Sequence, residues 1–192
     1  MSGSLSFLFN SFMPLNDDTS ASTTKGTTKG TTKATTTTTT TWSEHVVEAK
    51  NLGYTEPDPR DDLSGLDVAR KLTILARVAG LTIPSPDSFP IESLIPKQLT
   101  ASAINGTMTS DEFLTALPRY DSEMEALKAE VRSEGQVLRY IGSADLITGE
   151  LSVKMVRVGA ESPAAGLRGS ANVFSFWTDR YGGVPLVVAG AG

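Results

Sequence analysis

The chain has 192 residues, a formal net charge of −5, 39% hydrophobic residues, a single histidine and no cysteine. That length suits one domain with appendages, and the acidic balance argues against a nucleic-acid partner. The missing cysteines exclude disulfides, thiolate metal sites and cysteine nucleophiles together. With His45 the sole histidine, a His-rich metal site and a serine–histidine triad are both disfavoured. His45 is expected to be a polar position on an amphipathic helix, not a catalyst.

The opening MSGSLSFLFNSFMP places Leu5, Leu8, Phe9 and Phe12 near helical spacing and stops at Pro14. It lacks a positive start and a small-residue cleavage site, and it is too short to cross a bilayer. It therefore reads as a core helix, and the expectation is a soluble, cytoplasmic protein with no membrane partner. From Thr19 to Thr41 the chain is more than half threonine, with the short repeat TTKG, and has no aromatic. Such a stretch cannot offset its ordering entropy, so a disordered insert is expected. A threonine-rich glycosylated stalk is the weaker alternative, since proline and an export signal are both missing. Residues 1–16 thus form an opening helix, 17–41 a threonine-rich insert and 42–192 the main body.

Ser43 is expected to cap a helix with Val46, Val47, Ala49 and Leu52 on its apolar side and Gly53 as a left-handed stop. Ser64 and Asp67 resemble a capping arrangement for the next helix. That helix is expected to bury Leu66, Ala69, Leu72, Leu75, Ala76 and Ala79 and to end at Gly80. After a proline-rich connection, IESLIP reads as a short strand. Thr109 and Glu112 form a capping box for a helical stretch to about Glu134, broken near Pro118. Its Glu123, Glu125, Glu130 and Glu134 read as a solvated face. VLRYIGSADL and LSVKMVRV flank ITGE as a hairpin, and Asn172–Thr178 and Pro185–Val188 are further strands. Helices first and sequential strands later give an α+β class, helices packed on a mostly antiparallel sheet. The final GAG has no helix after it and is not a phosphate loop by itself.

The segment GYTEPDPRDDLSGLDVARK, Gly53 to Lys71, is the most informative. Five carboxylates (Glu56, Asp58, Asp61, Asp62, Asp67) crowd a turn stiffened by Pro57 and Pro59, with Arg60, Arg70 and Lys71 among them. Such crowding is better tolerated where a cationic ligand, a metal or a neighbouring base sits among the charges. Asp67 and Lys71, four apart on a helix, share a face; the ordinary reading is a solvated ion pair worth a few tenths of a kcal/mol, about 0.3. The functional reading is a lysine in a partly desolvated pocket, acting as proton donor beside carboxylates that recognise an ammonium group. A divalent metal is the rival for the acids, but the spacing lacks the alternating acids and central glycine of an EF-hand loop, and no metal is assigned.

This segment closely resembles the corresponding stretch of the homoserine dehydrogenase family, in its fungal type. The resemblance continues through SGSLSFLFN, with Ser4 where threonine is usual, LTILARVAG, SFPIESLIPK, the hairpin and LRGSANVFSFWTDRY. It covers nearly the whole chain except Thr19 to Thr41. It implies reduction of L-aspartate 4-semialdehyde to L-homoserine with NADPH or NADH, in the pathway to threonine and methionine. It implies Lys71 as the catalytic lysine and Glu56, Asp62, Asp67 and Ser4, with Gly3 beside it, as substrate positions. Gly53 matches a position where the backbone approaches the nicotinamide cofactor. It also implies 42–192 as a catalytic and dimerisation domain, with a homodimer or a heterodimer with full-length enzyme as partner.

The family's Rossmann unit with its glycine-rich loop has no counterpart in this sequence. Its second active-site lysine, its monovalent-cation site and its closing helix have none either. The expectation is therefore a substrate half with little dehydrogenase activity alone. A non-catalytic dimerisation module and an amino-acid-binding remnant using Glu56, Asp62 and Asp67 are the alternatives.

Overall fold

The computed structural model describes residues 2–16, 40–104 and 106–191. All of the expected threonine-rich insert but Thr40 and Thr41 lies outside the described residues. The first helix, α1 (Gly3–Phe12), forms where the apolar spacing places it and buries Leu5, Leu8, Phe9 and Phe12. Its C-terminal carbonyls would be orphaned in the core. The Arg139 guanidinium meets them, donating to the Phe9 and Met13 carbonyls and to those of Leu138, Ala164 and Ala165. Burial pushes this guanidinium down to about 10, which leaves it a cation at neutral pH.

The second helix, α2 (Trp42–Asn51), starts two residues earlier than a Ser43 cap would place it. Thr41 is the cap and forms a full capping box with Glu44. Ser43 instead donates its N–H and hydroxyl to Asp121, pinning α2 to the start of α7 (Asp121–Ser133). Trp42 packs its ring against Phe9 at 5.3 Å and Phe12 at 5.2 Å, which makes it the hinge of the core. Val46 and Ala49 are buried as expected, whereas Val47 and Leu52 are exposed. His45 is buried rather than merely amphipathic, edge-on to Phe12, with Nδ1 3.4 Å from Glu48.

A short helix α3 (Pro59–Leu63) and the longer α4 (Leu66–Val78) follow. The inner face of α4 is Val68, Ala69, Leu72, Thr73 and Ala76, so the stripe is rotated from the expected one, and Leu66 and Leu75 are exposed. IESLIP forms no strand. Ile91 makes one parallel bridge to Val153, and the Leu94 N–H then turns away to the Leu63 carbonyl. The prolines at 90 and 96 keep the ladder from extending. Pro96 opens α5 (Lys97–Ile104), a helix too short and too weakly apolar to show a period. The Thr109–Glu112 capping box forms and starts α6 (Ser110–Ala116). A 3-10 turn at Leu117–Tyr120 carries Pro118 and passes into α7. Two of the glutamates expected only to face solvent, Glu130 and Glu134, hold Arg157 of the neighbouring strand at 2.7 and 3.2 Å.

The second half is strands, as expected, but in two sheets rather than one. β1 (Gln136–Ala144) and β2 (Leu151–Gly159) pair antiparallel in register Gln136 with Gly159. β3 (Asn172–Phe176) pairs antiparallel with β4 (Leu186–Gly190). The β1–β2 sheet receives α1, α4 and α7, and this is the α+β core. Every residue of β4 is exposed, together with Trp177 and Val184. Further apolar side chains are uncovered on the outer side of α4 and, at Leu146 and Ile147, in the turn between β1 and β2.

Candidate active site

The acidic turn is built from its ends inward. Gly53 adopts φ +75 and closes α2, with the Tyr54 N–H reaching the Ala49 carbonyl and the Gly53 N–H that of Lys50. This paired arrangement satisfies the last helical carbonyls and redirects the chain. Tyr54 stacks on Phe7 at 4.3 Å, which seats the turn against α1. Asp58 then caps α3, its carboxylate accepting from the Arg60 N–H while the Arg60 side chain forks onto the same group. That guanidinium holds the Asp58 carboxyl below the usual carboxylate range. Arg60 also donates to the Met108 carbonyl at 2.7 Å. One of the five acids is therefore structural.

Asp62 is the second, and it is only 8% exposed. Oδ1 accepts the Ser4 hydroxyl at 2.5 Å and Oδ2 accepts the Glu56 N–H at 2.9 Å. Ser4 in turn meets the Ser2 hydroxyl at 2.5 Å. A buried carboxyl group needs such partners, because burying a polar group without hydrogen bonds is costly. The result is a bridge from the start of α1 to the acidic turn, so Asp62 and Ser4 fix where Glu56 stands.

The turn into α4 is decided by Gly65, not by Ser64 and Asp67. Gly65 is the cap residue at φ +77 and has no side chain to offer the helix. Ser64, one residue ahead of it, donates its hydroxyl to the Asp61 carbonyl and accepts the Leu66 N–H at 3.3 Å. Asp67 is left to its own helix, and its carboxylate takes the Lys71 ammonium at 2.9 Å. The pair is half open, with Lys71 49% and Asp67 40% exposed at their side chains. The expected desolvated pocket around Lys71 is not formed by these residues.

These groups border a single cleft of about 660 Å³. Ser2, Gly3 and Ser4 come from α1, Gly53, Tyr54 and Glu56 from the turn, Asp61, Asp62 and Ser64 from α3 and the link after it, and Leu66, Asp67, Arg70 and Lys71 from α4. All the candidate residues read from the sequence (Ser4, Gly53, Glu56, Asp62, Asp67 and Lys71) are brought together. Ser2, Tyr54 and Ser170 also line it and were not anticipated. Ser170 follows a long loop, and nothing local in the sequence marks it. No cluster suited to a metal ion occurs among the described residues. The space over Gly53 is open, with nothing within 4 Å of a would-be Cβ, so a flat ring can approach the backbone there. Most of the described glycines are equally open, so this space admits the nicotinamide end of a dinucleotide without marking a site for it. No glycine-rich strand–turn–helix unit for its phosphates occurs among the described residues.

The profile of one family, described as homoserine dehydrogenase, matches residues 1–192. The chain belongs to the homoserine dehydrogenase family. The homoserine dehydrogenase of Emericella nidulans is 50% identical over 193 residues, a match that takes in 100% of this chain and 46% of that protein. A Candida auris crystal structure, of a protein whose function is given as unknown, superposes with a TM-score of 0.80 at 40% identity, over 100% of this chain and 46% of the other. An S. aureus homoserine dehydrogenase structure shares the fold, with a TM-score of 0.62 at 18% identity over 100% of this chain and 36% of that one. The chain spans about half the length of the curated fungal relatives it matches. The α+β class read from the sequence is that of these homoserine dehydrogenase structures.

Proposed function

We propose that this chain is the substrate-holding half of a homoserine dehydrogenase, acting on L-aspartate 4-semialdehyde and L-homoserine. The observation that carries the reading is the Asp67–Lys71 pair on α4, bordering the same cleft as the Glu56 carboxylate. NADPH or NADH supplies the hydride when bound, with Gly53 offering an unobstructed backbone to the nicotinamide end. Hydride arrival at the aldehyde carbon turns the carbonyl oxygen into an alkoxide. Lys71 Nζ gives that oxygen its proton, and Asp67 holds the ammonium in place. Glu56 receives the substrate ammonium, while Asp62 and Ser4 hold Glu56 at the substrate edge of the cleft. The cofactor phosphates have no cradle among the described residues, so the 192-residue chain by itself binds substrate without sustained turnover. The lack of cysteine suits a reducing compartment, and we assign the cytoplasm.

Titration of the isotope-labelled chain with L-homoserine tests this. Saturable shifts are expected at the amides of Gly53, Glu56 and Lys71, and their absence refutes the reading. In parallel, NADPH oxidation with L-aspartate 4-semialdehyde is expected to be negligible for the chain alone, and turnover typical of a full dehydrogenase would overturn that part. The exposed β3–β4 hairpin favours a second role, pairing with another copy or with full-length enzyme. A strictly monomeric chain by sedimentation, together with no co-purification with intact enzyme, would rule it out.

A further inference from the structure

The cleft holds an unbalanced pair of opposite charges. Glu56 and Asp61 line it with carboxylates that accept no hydrogen bond among the described residues, and both bond there through their backbones. Arg70 lines it too and is exposed, yet its guanidinium makes no ion pair or hydrogen bond among the described residues. Its natural helical partner is Asp67, three residues earlier, but that carboxylate already holds Lys71 at 2.9 Å. Asp62, the other near acid, is closed off by Ser4 and the Glu56 N–H. An arginine among carboxylates that pairs with none of them keeps its planar fork for an incoming group.

The geometry points to Arg70 as the subsite for the substrate's α-carboxylate, with Glu56 taking the α-ammonium, so that the cleft selects a zwitterionic amino acid rather than a simple amino alcohol. This rests on the substrate reading above. A polyanion does not suit a cleft with four acids on its walls, namely Glu56, Asp61, Asp62 and Asp67. A molecule with one carboxylate and one ammonium matches the single guanidinium and the unbonded carboxylates that line the cleft. Arg70 sits one residue before Lys71 on α4. The same helix would then anchor the substrate backbone and protonate its far oxygen, which sets the orientation of the chain between them.

The test compares L-homoserine with 3-aminopropan-1-ol, the same molecule without its carboxylate, by NMR titration of the full chain and of Arg70→Gln and Arg70→Lys. A charge-assisted pair at an exposed site is worth about two- to fivefold in affinity. The intact chain is expected to prefer L-homoserine by about that factor, Arg70→Gln to lose the preference while keeping its affinity for 3-aminopropan-1-ol, and Arg70→Lys to keep part of it. If Arg70→Gln weakens both ligands alike, or neither, the carboxylate subsite is wrong while the substrate cleft stands. If the unmodified chain binds neither ligand, the substrate cleft itself is wrong, and the subsite falls with it.

Discussion

Replacing Gly65 by alanine probes how α4 is aimed. Gly65 sits at φ +77, where an L-residue costs roughly 1 kcal/mol. A Cβ there would also lie 2.0 Å from the Tyr140 hydroxyl and 3.0 Å from its Cζ. Tyr140 cannot yield freely. It is 7% exposed, and its hydroxyl donates to the Glu92 carbonyl at 2.5 Å. Displacing it forfeits that bond, about 1 kcal/mol, and overpacks a buried ring at a further 1 kcal/mol or more, on the order of. The sum is about 3 kcal/mol, a large share of the roughly 5–15 kcal/mol that holds a domain together. For a chain of this size it corresponds to a fall in Tm of about 6–12 °C. Thermal and urea unfolding followed by circular dichroism measure it. Adding Tyr140→Phe removes the clashing oxygen, so the double variant is expected to recover about 1 kcal/mol beyond additivity. A Gly65→Ala chain within about 0.5 kcal/mol of the unmodified one, or strictly additive behaviour in the cycle, would refute the reasoning.

Lys71→Ala is expected to leave stability within about 0.5 kcal/mol, since the Asp67 pair is exposed, while abolishing proton delivery; urea unfolding reads the first, and NADPH-dependent turnover after the chain is joined to the remainder of the Emericella nidulans enzyme reads the second. Arg139→Met removes the donor shared by five carbonyl oxygens and is expected to cost about 3 kcal/mol by urea unfolding, because those oxygens remain buried. Burial, more than the opposing Glu48 hydrogen bond, holds His45 below its ordinary 6.5. The unfolded chain therefore takes up a proton there before the folded one does. Stability contributed by neutral His45 is present above pH 6.5 and drains as pH falls from 6.5 through the lower folded value. His45→Gln should flatten the stability–pH curve over that interval, and an unchanged slope counts against the burial argument.

Local patterns carried much of this protein. The spacing of Leu5, Leu8, Phe9 and Phe12, the Thr109–Glu112 box and the β1–β2 hairpin are short-range arrangements, each set by residues within a turn or a strand of one another. The crowding of acids between Gly53 and Lys71 marked the site because like charges at close spacing need partners, wherever the rest of the chain goes. Which partner each acid takes was not readable. Asp58 could be known as a cap only once Arg60 was seen to fork back onto it and reach Met108, and Asp62 only once α1 delivered Ser4 from 58 residues away. The start of α4 was misread for the same reason. Its direction depends on Tyr140, a strand residue occupying the space a side chain at 65 would need.

The sequence by itself determined the family, through a resemblance that runs over nearly the whole chain, and it marked the helical stretches and the carboxylate-rich segment, because these last two rest on spacing along a few turns of chain. Only the tertiary structure decided the division of labour within that segment. Asp58 and Asp62 are consumed in holding the turn, Asp67 pairs with Lys71, and Glu56, Asp61 and Arg70 line the cleft with no hydrogen bond at their charged ends among the described residues. A charge's role depends on which polar groups stand within about 3 Å of it, and in this cleft those groups come from α1, the turn, α3 and α4, which only folding brings together.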